Sequence, residues 1–226
     1  PHSPLRDRVK KVMRVINEAA DRTGKKVMYG FNITDDLEAM KRHHDTVRDA
    51  GGTCVMVSLN SVGVVGVSHL RNGFELPIHG HRNGWGMLTR HPYLGMGFQA
   101  YQKLWRLAGV DHLHVNGLQN KFWEPDDSVV ESIEGLFAPF LGGYEMMPVI
   151  SSGQWGGQAP ETFRRIGSVD VMYLAGGGMM AHPGGPASGM VAIRQAWEAA
   201  VGGVPLDVYA RDHLELRQSI EKFGSR

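Results

Sequence analysis

Short apolar runs recur along the chain, each closed by glycine or polar residues and followed by a segment of helical period. Strands separated by helices cannot pair as tight hairpins. Crossover connections join them instead, and the product is a parallel sheet covered by helices. Leu5 to Arg22 reads as an amphipathic helix with Val9, Val12, Met13, Val15 and Ile16 on one side, ended by Thr23-Gly24. Lys26 to Ile33 is a strand, and Thr34-Asp35-Asp36 caps a helix that runs to about Asp49. Thr53 to Leu59 is almost continuously apolar, as expected of a parallel strand covered on both faces. Asn60 to Leu70 is a short helix or a loop, Leu76 to His81 a strand, and Phe98 to Ala108 a helix. A strand begins at Val110, and a helix spans Asp127 to Phe140. Met146–Ser152 and Val169–Leu174 are strands around a helix at Ala159–Ile166; helices at Gly189–Val201 and Asp207–Phe223 follow.

Six strands in this alternation suit either a doubly wound sheet or a (β/α) barrel. No G-x-G-x-x-G turn follows Ile33, whereas polar residues and glycines gather after strand upon strand, which favours the barrel. A barrel of this kind has eight strands, so the reading is an α/β fold, a (β/α)8 barrel without its first two strands. At 226 residues and 42% hydrophobic, positions 1–226 form one domain or a large part of one. A net charge of +1, with the basic residues scattered, gives no electrostatic footprint for nucleic acid or an anionic membrane. Cys54 is the only cysteine, which fits a reducing cytoplasm and leaves no thiolate metal cage. No apolar run approaches a membrane span of ~20 residues, and Pro1-His2-Ser3-Pro4 begins no signal peptide.

Sites in such barrels stand at the C-terminal ends of the strands. The focal stretch is Val110 to Glu124, a strand carrying His114 and then a Gly/Asn/Gln loop that ends in Lys121. This arrangement suits a base and a cation aimed at one substrate. A buried strand histidine beside an ordinary surface lysine is the plainer alternative. His79-Gly80-His81-Arg82 sets two imidazoles on one strand face next to an arginine. Without nearby carboxylates they make an incomplete metal site, and binding of a phosphate or enolate or a structural pairing remain open. Ser151-Ser152-Gly153 and Gly176-Gly177-Gly178 end the last two strands, where exposed backbone N–H groups commonly hold phosphate, although tight turns would use the same glycines.

These motifs, in this order, resemble the C-terminal barrel domain of the RuBisCO large-chain family. Asp111-His112-Leu113-His114 with the loop to Lys121 is similar to its sixth strand and mobile loop 6. His79-Gly80-His81-Arg82 resembles its fifth-strand His-x-His-Arg, and Gly30-Phe31-Asn32-Ile33-Thr34 its third strand. Pro148 to Gly153, and Ala175 to Gly178 with His182-Pro183, resemble its two phosphate-binding ends. The likeness runs from Arg6 to Gly202. It implies that His81 and Arg82 contact one phosphate or polar end of the substrate and His114 the other, while Lys121 closes over the reacting carbon. Ser151, Ser152, Gly153, Gly176 and Gly177 would bind phosphate or hydroxyl groups.

The resemblance also implies Mg²⁺ held by a Lys-x-Asp-Glu type run, expected just upstream of Pro1, with no metal ligand in this chain. A homodimer in which the neighbouring subunit's N-terminal domain completes the site is implied as well. The isolated chain is therefore expected to be inactive. Departures point to the RuBisCO-like (type IV) branch. Trp85 stands where carboxylases carry a further histidine, and Val57-Ser58 replaces their His-Asp. The loop Asn116 to Trp123 keeps the lysine but not the family's Gly-Thr-Val-Val-Gly approach or the Leu-Glu after it. The expected activity is Mg²⁺-dependent enediolate chemistry with C–C cleavage. The enzyme would be a decarboxylase or transcarboxylase/hydrolase of a phosphorylated keto-sugar acid such as 3-oxo-isoapionate 4-phosphate. The alternatives are an enolase or isomerase of a methylthio keto-sugar phosphate, or a catalytically silent phosphate-binding relative.

Overall fold

The computed structural model describes residues 3–143 and 145–224; Pro1, ahead of which the metal ligands are expected, lies outside them. The strands are parallel and follow one another in chain order, β1-β2-β3-β4-β5-β6, each pair separated by helix. The chain divides into two compact units, Pro1–Leu113 with Pro139–Met146, and His114–Ala138 with Met147–Arg226.

The first unit contains α1 (Leu5–Thr23), β1 (Gly30–Asn32), α2 (Leu37–Asp49), β2 (Cys54–Ser58), α3 (Leu59–Arg71), β3 (Ile78–His81), α4 (Gly86–Thr89), α5 (Phe98–Leu107) and the start of β4 (His112–Asn116). α1 buries Val9, Met13 and Ile16, a stripe at helical spacing, and Gly24 ends it in the left-handed region, with its N–H donating to Ala20 O. Asp36 caps α2 by accepting from the Ala39 N–H at 2.8 Å. Register pairs Val55 with Ile78, Met56 with His79, Ser58 with His81, and His79 with His112. One face of the strands therefore carries Phe31, Val55, Val57, Ile78 and Leu113, all fully buried. The opposite face carries Asn32, Met56, Ser58, His79, His81 and His112. Gly80 lies on the apolar face, where a Cβ would come within 2.8 Å of Val110 and 2.9 Å of Leu59. That close packing explains the glycine between the two histidines.

Three expectations shift in this unit. β1 is shorter than Lys26 to Ile33, because Gly30 already pairs with the first residue of β2 and nothing in β2 reaches residues 26–29. Val27 and Met28 are accordingly 60% and 46% exposed. β3 starts at Ile78, since Pro77 has no N–H for the ladder. The segment after β2 forms a true helix, kinked at Gly63, which takes φ 77°.

The second unit holds the rest of β4, α6 (Asp126–Phe137), β5 (Met147–Ser151), a 3-10 turn (Gly156–Gln158), α7 (Ala159–Ile166), β6 (Met172–Tyr173), α8 (Gly176–Met180), α9 (Gly185–Val201), α10 (Leu206–Tyr209) and α11 (Leu214–Phe223). Its helical core joins Ala159, Ala196, Ala210 and Leu216. β6 is two residues long, paired Val149 with Met172 and Ile150 with Tyr173, and so shorter than Val169 to Leu174. The expected terminal helix breaks between Tyr209 and Leu214, where His213 takes extended backbone and opens α11. Among the described residues, no helix is long and apolar enough to cross a membrane.

Candidate functional site

In the first unit the end of β3 gathers His79, His81 and Arg82, with His112 beside them on β4. His79 and His112 meet edge to face, ring centroids 5.8 Å apart. Burial, with His112 and His81 adding to it, pushes His79 down to about 4, and burial lowers His112 as well. Both are neutral imidazoles at neutral pH. The His81 Nδ1 accepts from the Asn83 N–H at 3.1 Å. Arg82 is buried, with its guanidinium 4.5 Å from the centre of the Phe98 ring. Trp85 is buried as well, packed on Phe98 and Tyr101. The Tyr101 hydroxyl donates to Asn60 Oδ1 at 2.9 Å, and Asn60 Nδ2 donates to Asn83 O at 2.8 Å. An aromatic wall thus backs the His81–Asn83 turn. Two residues near these motifs have structural partners. Asn32 Oδ1 accepts from the Thr34 N–H and hydroxyl. Asp111 precedes β4 and accepts from the Ile78 N–H at 2.7 Å and from Arg71 at 3.1 Å.

His79 links this site to stability. The unfolded chain protonates this ring near 6.5 and the folded one only near 4, so the unfolded state binds more protons between those values. Its contribution is complete above about pH 6.5 and is lost as pH falls toward 4. The intact protein should be about 2 kcal/mol less stable at pH 5 than at pH 7 through this group. Urea midpoints at the two pH values should converge in His79→Gln; an unchanged pH dependence in that variant would contradict the assignment.

In the second unit, β4, β5 and the loop between β4 and α6 bring together His114, Lys121, Ser151, Ser152 and Gly153. His114 Nδ1 lies 3.3 Å from Ser151 Oγ, which also donates to Val115 O at 3.0 Å. Ser152 Oγ donates to Asn116 Oδ1 at 2.6 Å, and the Lys121 N–H donates to Ser152 O at 3.1 Å. Ser152 takes φ 75°, a left-handed conformation that a non-glycine residue holds only under strong local constraint. Gly153 follows at φ 90°, and the Lys121 stem lies across it: a Cβ there would be 3.4 Å from the lysine Cβ. Lys121 Nζ stands 5.4 Å from the centre of the Phe122 ring. Gly176 and Gly177 open α8 with open space where a side chain would be, so their backbone is approachable. Gly178 is needed for a different reason, since a Cβ there would strike Trp155 at 2.7 Å. His182 has a structural role, with Nδ1 accepting from the Gly184 N–H and Nε2 donating to Glu215 O.

The residues that sequence reasoning missed are Asn116, Glu124 and Gln154. Asn116 Nδ2 donates to Glu124 Oε2 at 2.5 Å, and Gln154 Nε2 donates to Leu118 O at 3.0 Å. Strand alternation could have found Asn116, two residues beyond His114 on the same face. Among the described residues, no group of three or more His, Cys, Asp or Glu is placed to hold a metal ion. The imidazoles at these strand ends do not fit Mg²⁺, which takes oxygen ligands.

A family model described as "Ribulose bisphosphate carboxylase large chain, catalytic domain" matches residues 1–223. The chain is 52% identical to a 3-oxo-isoapionate-4-phosphate decarboxylase of Rhizobium etli, over 99% of this chain and 54% of that protein. It is 53% identical to a 3-oxo-isoapionate-4-phosphate transcarboxylase/hydrolase of Xanthobacter autotrophicus, over 96% and 53% respectively. Among solved structures it superposes on a RuBisCO-like protein from Burkholderia fungorum with a TM-score of 0.95 at 47% identity, covering 98% of this chain and 55% of that one. The chain spans about half the length of the curated relatives it matches. The ordered parallel strands, the His-x-His-Arg strand end, the lysine loop and these matches lead to one conclusion: the chain belongs to the ribulose bisphosphate carboxylase large chain family, as part of its catalytic barrel and in the RuBisCO-like branch.

Proposed function

We propose that the protein carrying this chain cleaves a C–C bond in a phosphorylated 3-oxo sugar acid, as a decarboxylase or a transcarboxylase/hydrolase. The observation that carries the reading is about half identity to two enzymes named for 3-oxo-isoapionate 4-phosphate, joined to a local cluster of His114, Ser151, Ser152 and Lys121. In a 3-oxo acid the bond to the carboxylate breaks with its electron pair moving toward the 3-oxo group, which leaves an enolate that is then protonated. The Lys121 ammonium is suited to stabilise that developing charge and to return a proton. His114, held through Nδ1 at Ser151, is suited to bind and orient the substrate's oxygens, and family resemblance supports contact of His81 and Arg82 with a polar end of the substrate. The approachable backbone of Gly176 and Gly177, with Ser151, Ser152 and Gly153 in the same unit, supports phosphate or hydroxyl binding.

Family resemblance supports Mg²⁺ and a dimer whose neighbouring subunit completes the site. The metal's oxygen ligands are expected outside the described residues, whose strand-end imidazoles do not suit Mg²⁺. The test is turnover of 3-oxo-isoapionate 4-phosphate by the intact enzyme in the presence of Mg²⁺, followed by loss of the 3-oxo acid. Isomerisation of a keto-sugar phosphate with the 3-oxo acid untouched would overturn the reading.

A further inference from the structure

The loop between β4 and α6 starts from a buried amide and ends on a carboxylate, and the two meet. Asn116, the last residue of β4, donates through Nδ2 to Glu124 Oε2 at 2.5 Å. The Ser128 hydroxyl, in the first turn of α6, donates to Glu124 Oε1 at 3.0 Å. The main-chain carbonyl of Glu124 accepts from Asn120 Nδ2 at 2.9 Å, while Asn120 Oδ1 accepts from the Phe122 N–H at 2.9 Å. A strand end, a helix start and the middle of the loop are therefore tied at one residue, and Lys121 lies inside the tie.

The direction of these bonds matters. A carboxylate only accepts, so it turns the NH₂ of Asn116 toward itself and the amide oxygen away. That oxygen then accepts from Ser152 Oγ at 2.6 Å, and Ser152 is held in its left-handed conformation with its carbonyl on the Lys121 N–H. Ser151, one residue earlier, is the partner of His114. Reversing the Asn116 amide would set an NH₂ group against the serine and an oxygen against the carboxylate.

We infer that Glu124 is the positioning residue of the lysine loop, fixing the Asn116 amide and through it Ser152, and so setting Lys121 on the strand ends that carry His114. The inference rests on the reading of Lys121 and His114 as catalytic residues.

The test compares Glu124→Ala and Glu124→Gln in the intact enzyme. Glutamine keeps an acceptor oxygen for Asn116, whereas alanine removes it. Two readouts are taken, steady-state kinetics and the rate of limited tryptic cleavage after Lys121 relative to other sites. Glu124→Ala should lower kcat by about 10²-fold with little change in KM, because a misplaced lysine costs more in the reaction than in binding. Cleavage after Lys121 should rise about tenfold as the loop opens. Glu124→Gln should bring both back to within about threefold of the parent. Where the alanine variant does not fold, Asn116→Asp carries the same expectation, since it replaces the donated bond with two facing carboxylates. Normal kcat and normal cleavage after Lys121 in these variants, with only the melting temperature lowered, would overturn the inference. Absence of activity on every 3-oxo acid tried would defeat the functional reading alone, because tryptic cleavage still decides whether Glu124 holds the loop.

Discussion

Lys121→Ala should lower kcat of the intact enzyme by about 10³-fold, the effect of removing one group that stabilises charge in the transition state. Its melting temperature should stay within about 2 °C of the parent. The two expectations separate because Lys121 is anchored by its main chain and not by its charge. The N–H that donates to Ser152 O survives in alanine. The side chain is exposed, with its Cβ 3.4 Å from where a Cβ at Gly153 would stand and its Nζ 5.4 Å from the centre of the Phe122 ring. Circular dichroism melting and steady-state kinetics on one preparation check the pair. A melting temperature that falls sharply while kcat is retained would make Lys121 a structural residue.

Gly189→Ala should do the reverse. A Cβ at Gly189 would stand 2.4 Å from Met179 O and 2.7 Å from its Cα, a clash with backbone, which cannot rotate away. α8 and α9 would have to separate, at a cost of about 2 to 3 kcal/mol. Residual activity per folded molecule should change far less than for Lys121→Ala. A denaturation curve that does not move would show that α8 can shift at little cost, and would contradict the close packing.

The contrast between these two positions also shows what the chain discloses before folding. The alternation of strand and helix was legible because burial on both faces of a parallel strand writes itself as an apolar run, as in Cys54 to Ser58. Element ends were less legible wherever pairing decided them. Val27 and Met28 have strand composition, yet the register of β1 on β2 begins at Gly30. Gly176-Gly177-Gly178 suits a tight turn in the sequence, but Gly176 to Met180 forms a turn of helix in which Gly178 packs closely against Trp155. His114, Ser151, Ser152, Gly153 and Lys121 could be nominated from their places at strand ends, and the structure brings them into one hydrogen-bonded neighbourhood. The resemblance implies a loop that closes over the substrate. In the structure Lys121, Phe122 and Gln119 all donate their N–H groups, to Ser152, Asn120 and Asp126 respectively. Glu124 was invisible as a partner because its role depends on which way the Asn116 amide turns, and that is set by three-dimensional contact and not by spacing. Asp111 shares a sequence motif with His114, yet it stands just before β4 and serves Ile78 and Arg71 there.

The fate of the substrate's carboxyl carbon distinguishes C–C cleavage from isomerisation directly. The intact enzyme would be given 3-oxo-isoapionate 4-phosphate labelled with carbon-13 at the carboxylate and followed by nuclear magnetic resonance, beside Lys121→Ala. The label should leave its original carbon, either as carbon dioxide and bicarbonate or on a newly formed carboxylate, and Lys121→Ala should slow this by about 10³-fold. A label that stays bonded to its original carbon while the sugar skeleton is isomerised would contradict C–C cleavage.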